Sequence, residues 1–173
     1  MRITKKLPKI DISDSETGCC PRFHPKDWDE KLFRFNGLQF AMASSKNFLH
    51  MPINLGRVMK KSMNKITEAN AHDPDRYLVL SQEVSNWKSN HYFLVTDYVP
   101  TMDMVIITGT FLTKAYAAEY KEVAKLIKKF KYFITKQGYQ YSEEDLYVFY
   151  TTCPQCAEHY GENYMVFFQK IED

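Results

Sequence analysis

Glycine is scarce and dispersed: six residues in 173, no two of them adjacent. No glycine-rich loop exists to wrap a phosphate, and no G-x-S-x-G elbow presents a nucleophilic serine, so nucleotide chemistry and standard serine hydrolysis are excluded. The five histidines show no H-x-x-x-H spacing, which removes a histidine metal cluster. No run approaches the roughly 20 apolar residues that a membrane span needs. The basic first ten residues lead into no apolar stretch, so a signal peptide is not expected. The expectation is a soluble, cytoplasmic protein with no membrane partner.

Charge of one sign is also lacking. Twenty-three basic residues against 21 acidic ones leave +2, too close to balance for a nucleic-acid partner. The lysines gather between Lys121 and Lys136, where a solvated helix face accounts for them. Four cysteines, two adjacent and two in Cys153-Pro-Gln-Cys156, do not make a secreted disulfide framework in a chain of this size.

Aromatic residues are abundant, with 12 Tyr and 12 Phe, more than core filling usually takes. Tyrosine brings a ring and a hydroxyl to one place, which suits a pocket that stacks and orients a ligand; a Tyr-rich sheet with wet edges is the plainer reading. The length fits one domain, with residues 1–30 as an irregular arm and 31–173 as the folded body. In the arm, CCPRFHPKDW sets Cys19, Cys20, Phe23 and Trp28 around two prolines.

Within the body, residues 32–35 and 38–43 read as short strands joined by Asn36-Gly37, a strong hairpin signal. Leu55, Val58, Met59, Met63 and Ile66 form one helical stripe. YLVLS (77–81) and HYFLVTDYV (91–99) read as strands split by the loop QEVSNWKSN. The second half repeats the order: a strand over 105–115, a helix over 117–137 closed by Gly138, then strands over 146–151 and 163–171 split by the loop TCPQCAEHYGE. Gly109 inside its strand points to a bulge or a close backbone approach. The expected fold class is α+β: duplicated strand-helix-strand-strand units, about 31–100 and 101–173, forming a curved, mostly antiparallel sheet with two helices on one face and a central cleft.

Each inter-strand loop carries an acid beside an aromatic: Glu83 with Trp87, and Glu158 with Tyr160 and Glu162. A carboxylate walled by aromatics has its pKa raised by desolvation, which poises it as a general base near neutrality. Glu83 and Glu158 are therefore the catalytic candidates, each weighed against a solvated loop acid. Trp87, Tyr92, Tyr116, Tyr120, Tyr150, Tyr164 and His50 are the ligand-binding candidates, although His50 also suits a helix entry. Cys19, Cys20, Cys153 and Cys156 have the ligand count for zinc, but adjacent cysteines rarely both reach one metal and a second C-x-x-C is missing. CPQC could also be a thiol-redox centre, yet too little chain follows it for a thioredoxin-like fold. The expectation is no metal and no cofactor, with zinc or redox as minor alternatives.

On ITGTFLTKAYAAEYKEVAKLIKKF, LYVFYTT and NYMVFFQKI, the chain resembles the gyrase-inhibitor-like (GyrI-like) small-molecule-binding superfamily. That family duplicates a strand-helix-strand-strand unit around a central pocket. Its usual Gly-Pro-Tyr before the second helix is Ala118-Glu119-Tyr120 here, so the tyrosine alone is kept. The set CCPRFHP, HMPINLG, GTFLTK and YTTCPQCAEHYG is similar to a bacterial subgroup often labelled as hydrolases or as uncharacterised proteins. The resemblance implies one of two activities. Some relatives are effector-binding domains that grip flat, cationic, hydrophobic compounds with aromatics and a buried glutamate. Others are hydrolases that open the cyclopropane of DNA-alkylating natural products with a glutamate and aromatics. Without a helix-turn-helix segment, a stand-alone hydrolase or sequestering protein is expected rather than a regulator, with a hydrophobic planar xenobiotic as its partner.

Overall fold

Asn36-Gly37 does not reverse the chain. In the computed structural model, which describes residues 3–49 and 51–172, a single strand β2 runs Leu32–Phe48 straight through that dipeptide. Gly37 takes φ +68, the left-handed value a turn would use, but inside a continuing strand. The two flanks of the dipeptide are held by different partners. Leu32 and Phe33 pair in parallel with β1 (Ile3–Thr4), while Phe40 to Lys46 pair antiparallel with β5 (Lys88–Leu94). Ladder bonds on both sides outweigh a local turn preference.

The fold is α+β, with three α-helices among the described residues and mainly antiparallel pairing. It divides into two compact units, Asn36–Thr108 on the one hand and Met1–Phe35 with Gly109–Asp173 on the other. The boundary thus falls inside β2 and inside β6 (Asp103–Ala117), beside a positive-φ glycine in each.

In the unit 36–108, β2 leads through the short β3 (Met51–Pro52) to α1 (Leu55–Glu68), then β4 (Val79–Ser85) and β5. β5 lies between β2 and β4, antiparallel to both. The helix buries Ile66, with Met59 and Met63 beside it, on Ala41, Val79 and Phe93 of the strands. The expected nine-residue loop between these strands is a tight hairpin instead. β4 continues to Ser85, β5 begins at Lys88, and Asn86-Trp87 makes the turn. Polar Gln82, Ser85, Lys88 and Asn90 disguised the extension, because the strand ends there are solvated, with Glu83, Val84 and Ser85 all exposed.

In the other unit, β6 is followed by a 3-10 turn at Tyr120–Glu122, α2 (Val123–Lys136), β7 (Leu146–Tyr150), α3 (Pro154–Tyr160) and β8 (Tyr164–Glu172). β8 lies between β6 and β7, antiparallel to both. α2 starts later than the predicted position 117 because Glu119 and Glu122 form a reciprocal capping box, the Glu122 carboxylate accepting the Glu119 N–H at 3.1 Å. Leu126, Phe130 and Ile134 of α2 pack on Leu112, Val148, Met165 and Phe167. Each fully buried phenylalanine there contributes roughly 2–3 kcal/mol.

The opposite face of this sheet is covered as well. Trp28, 5% exposed, sits among Phe33, Phe149 and Phe168, and Phe23 stacks on it. Residues 23–35 thereby close the side that α2 leaves open. Gly109 meets its expectation of close approach. At φ +139, a Cβ there would lie 2.7 Å from the Glu172 carbonyl oxygen and 2.6 Å from Lys170 Cε, beside a bulge where Thr110 opposes Glu172 and Phe111 opposes Lys170. No helix among the described residues is long and apolar enough to cross a membrane.

Candidate functional site

The expected loop TCPQCAEHYGE contains a helix, and that helix completes a cluster the linear sequence divides. Cys153 stands at the N-cap position of α3 without a capping side-chain hydrogen bond, Pro154 occupies its first turn, and Gly161 closes it in the left-handed region at φ +67. A seven-residue helix has little intrinsic stability. Here its buried anchor is Cys156, 3% exposed, turned towards the segment Thr17–Cys20. The sulfur atoms of Cys19, Cys20, Cys153 and Cys156 all lie within 4.8 Å of one another. The two adjacent cysteines hold their sulfurs 3.8 Å apart on one side of the chain. Gly18, at φ +67, makes the bend that allows this.

Thr17 organises the cluster. Its Oγ1 lies 3.2 Å from Cys156 Sγ and accepts the backbone N–H groups of Cys19 and Cys20 at 3.3 and 3.4 Å. The Tyr160 hydroxyl, at the end of α3, donates to the Cys20 carbonyl at 2.7 Å and accepts the Glu16 N–H at 3.2 Å. Arg22 stacks over the Tyr160 ring at 4.7 Å and pairs with Glu16 at 2.7 Å. The thiols respond unequally. The Thr17 hydrogen bond, helped by Cys153 and Cys20, pulls Cys156 down to about 6. Burial pushes Cys20 far up. Cys19 also ends above its ordinary value, since burial and its sulfur neighbours outweigh the hydrogen bond from Cys20. Four sulfurs in one place cannot all carry charge without a counter-ion.

Three predicted aromatics lie elsewhere in the same unit, and two of them are in contact. Tyr116 packs edge-on to Phe167 at 5.5 Å, and Tyr120 meets Tyr150 with ring centres 5.4 Å apart; all three are half-buried. Burial, with Asp29 and Glu30 adding to it, pushes the Tyr116 phenol up to about 12. Tyr164 opens β8 and packs on Phe23 at 5.4 Å, its phenol raised by burial. In the unit 36–108, Tyr92 is buried and donates to Gln82 Oε1 at 2.9 Å. Trp87 stands 58% exposed at the hairpin tip, edge-on to Phe48. His50 lies outside the described residues.

Both proposed catalytic acids are exposed, Glu83 near the end of β4 and Glu158 on α3. Neither has the apolar enclosure that the sequence reading gave it. An open groove of about 820 Å³ is lined by Lys5, Lys6, Lys9 and Lys31 with Ile3 and Phe33, and none of the predicted ligand-binding aromatics lines it.

One polar centre escaped sequence reading. His91, 2% exposed, lies between Ser45 and Ser81, with Ser45 Oγ 2.8 Å from its Nε2 and Ser81 Oγ 2.9 Å from its Nδ1. Burial pulls its pKa down to about 4, so at neutral pH the ring is neutral, with one nitrogen donating and the other accepting. Strand alternation sets Glu83 on the face of β4 that also carries Ser81. The three residues stand on three strands, and no local spacing announces them.

The sequence matches the model of a family described as bacterial hydrolase over residues 10–171. No curated protein matches it. Among solved structures it is similar to SAV2435, in the structure of that protein bound to tetraphenylphosphonium, with a TM-score of 0.54 and 11% identity over 83% of this chain and 93% of that one. At that identity the likeness is one of fold. The GyrI-like resemblance read from the sequence is supported by both matches, and the chain belongs to the bacterial hydrolase family.

Proposed function

We propose that the protein binds a hydrophobic, planar small molecule, cationic or cyclopropane-bearing, and hydrolyses it with a water activated by a glutamate. The observation that carries this reading is the half-buried ring pair of Tyr120 and Tyr150, centres 5.4 Å apart, in the unit that also carries the half-buried Tyr116. Tilted rings of this kind accept a flat guest on their faces, and those faces attract positive charge. SAV2435 holds an aromatic phosphonium cation on a similar fold; that cation is tetrahedral, and what it shares with the ligand proposed here is positive charge and flat aromatic faces. The two units are read as copies of one plan, because in each the first strand pairs with the last and the last with the middle one.

Glu83 and Glu158 are the two candidate bases, Glu83 on the face of β4 that carries Ser81 and Glu158 on α3 in the unit of the tyrosines. Glu158 projects from a helix whose buried side is committed to the cysteine cluster. The test has two readouts. Quenching of aromatic fluorescence by tetraphenylphosphonium measures binding, and product from a panel of reactive cyclopropanes and esters measures turnover. One of Glu83→Gln and Glu158→Gln is expected to lower turnover about 100-fold or more while binding persists, which identifies the base. Unchanged turnover in both variants refutes the glutamate mechanism. Binding by the wild type with no product from any substrate leaves a sequestering protein in place of a hydrolase.

A further inference from the structure

The four cysteines are more than a by-product of packing. They come from two segments over 130 residues apart, and the bend at Gly18 and the start of α3 gather all four sulfurs within 4.8 Å of one another. Tetrahedral zinc binds thiolate sulfur at about 2.3 Å, which fixes the sulfur–sulfur edge of a four-cysteine site at about 3.8 Å. The Cys19–Cys20 separation is 3.8 Å, and no pair in the set exceeds 4.8 Å. The set is within a few tenths of an ångström to an ångström of that geometry.

We propose that Cys19, Cys20, Cys153 and Cys156 form a structural zinc site that ties residues 17–20 to α3. Four sulfur donors leave no position open for water, so the site holds the fold rather than catalysing a reaction. Thiolate donors also favour zinc over the oxygen-seeking Mg²⁺ and Ca²⁺. The surrounding groups suit the role. Thr17 holds the Cys156 sulfur and the N–H groups of both adjacent cysteines, and Tyr160 fixes the Cys20 carbonyl. Such supports outside the ligand set orient a metal's donors. On binding, the metal replaces the thiol protons, which leave to solvent.

This site is independent of the tyrosine group and of any hydrolytic activity. Metal analysis of full-length protein purified without chelator is expected to return one zinc per chain. Cys19→Ser, at the exposed corner of the set, is expected to lower zinc at least tenfold in competition with a chromophoric chelator while leaving far-UV circular dichroism unchanged. Cobalt added to reduced, metal-stripped protein is expected to give the charge-transfer and ligand-field bands of tetrahedral thiolate coordination. Less than a tenth of an equivalent of zinc, with four thiols open to alkylation, overturns the proposal. A non-reduced mass lower by two or four hydrogens overturns it as well, by showing that the sulfurs pair as disulfides.

Discussion

The buried His91 makes stability depend on pH in a defined window. In the unfolded chain an imidazole takes up a proton near 6.5, whereas in the folded protein burial holds it neutral down to about 4. Between those values the unfolded state binds the extra proton, so stability falls as pH drops through the window and this loss ends below about 4. At pH 7.5 His91 contributes almost nothing to the pH slope. At pH 5.0 the two titrations differ enough to remove about 2 kcal/mol, and below pH 4 about 3 kcal/mol. Urea unfolding at pH 7.5 and 5.0 reads this directly when wild type is compared with His91→Gln. Glutamine cannot be protonated, and every carboxylate common to both proteins cancels in the difference. The wild type is expected to lose about 2 kcal/mol more than the variant over that interval. Equal losses would mean that the ring between Ser45 and Ser81 is hydrated or charged in the folded state, and the account of that centre would fall.

Two further perturbations test the packing. Gly109→Ala forces a side chain into φ +139 and against the Glu172 carbonyl; it is expected to cost about 1–3 kcal/mol and to lower Tm by roughly 2–12 °C in calorimetry. An unchanged Tm would show that β6 and β8 are not in close contact there. Trp28→Ala empties a space bounded by Phe23, Phe33, Phe149 and Phe168, and about 3–5 kcal/mol is the expected loss in denaturant unfolding. A loss under 1 kcal/mol would place the segment around Trp28 on the surface rather than in the core.

Much of the fold is legible in local pattern. The strand before α2, the apolar stripe of that helix, the Gly138 stop and the stripe of α1 follow from periodicity and capping, which act over a few residues. The errors share one cause. Asn36-Gly37 has turn chemistry, yet its flanks are held by β1 and β5, far away in sequence. α3 is too short to show a period and exists through Pro154 in its first turn, the left-handed Gly161 at its end and its buried Cys156.

The sequence by itself determined an α+β chain rich in aromatics, lacking the motifs of nucleotide and serine-hydrolase chemistry, and similar to a family of small-molecule-binding proteins. Only the tertiary structure decided which polar groups meet. Cys19 and Cys20 reach Cys153 and Cys156 across more than 130 residues, and Ser45, Ser81 and His91 converge from three strands. Strand pairing and chain return create these neighbours. Sequence periodicity records which face a residue takes, but not which distant residue shares that face.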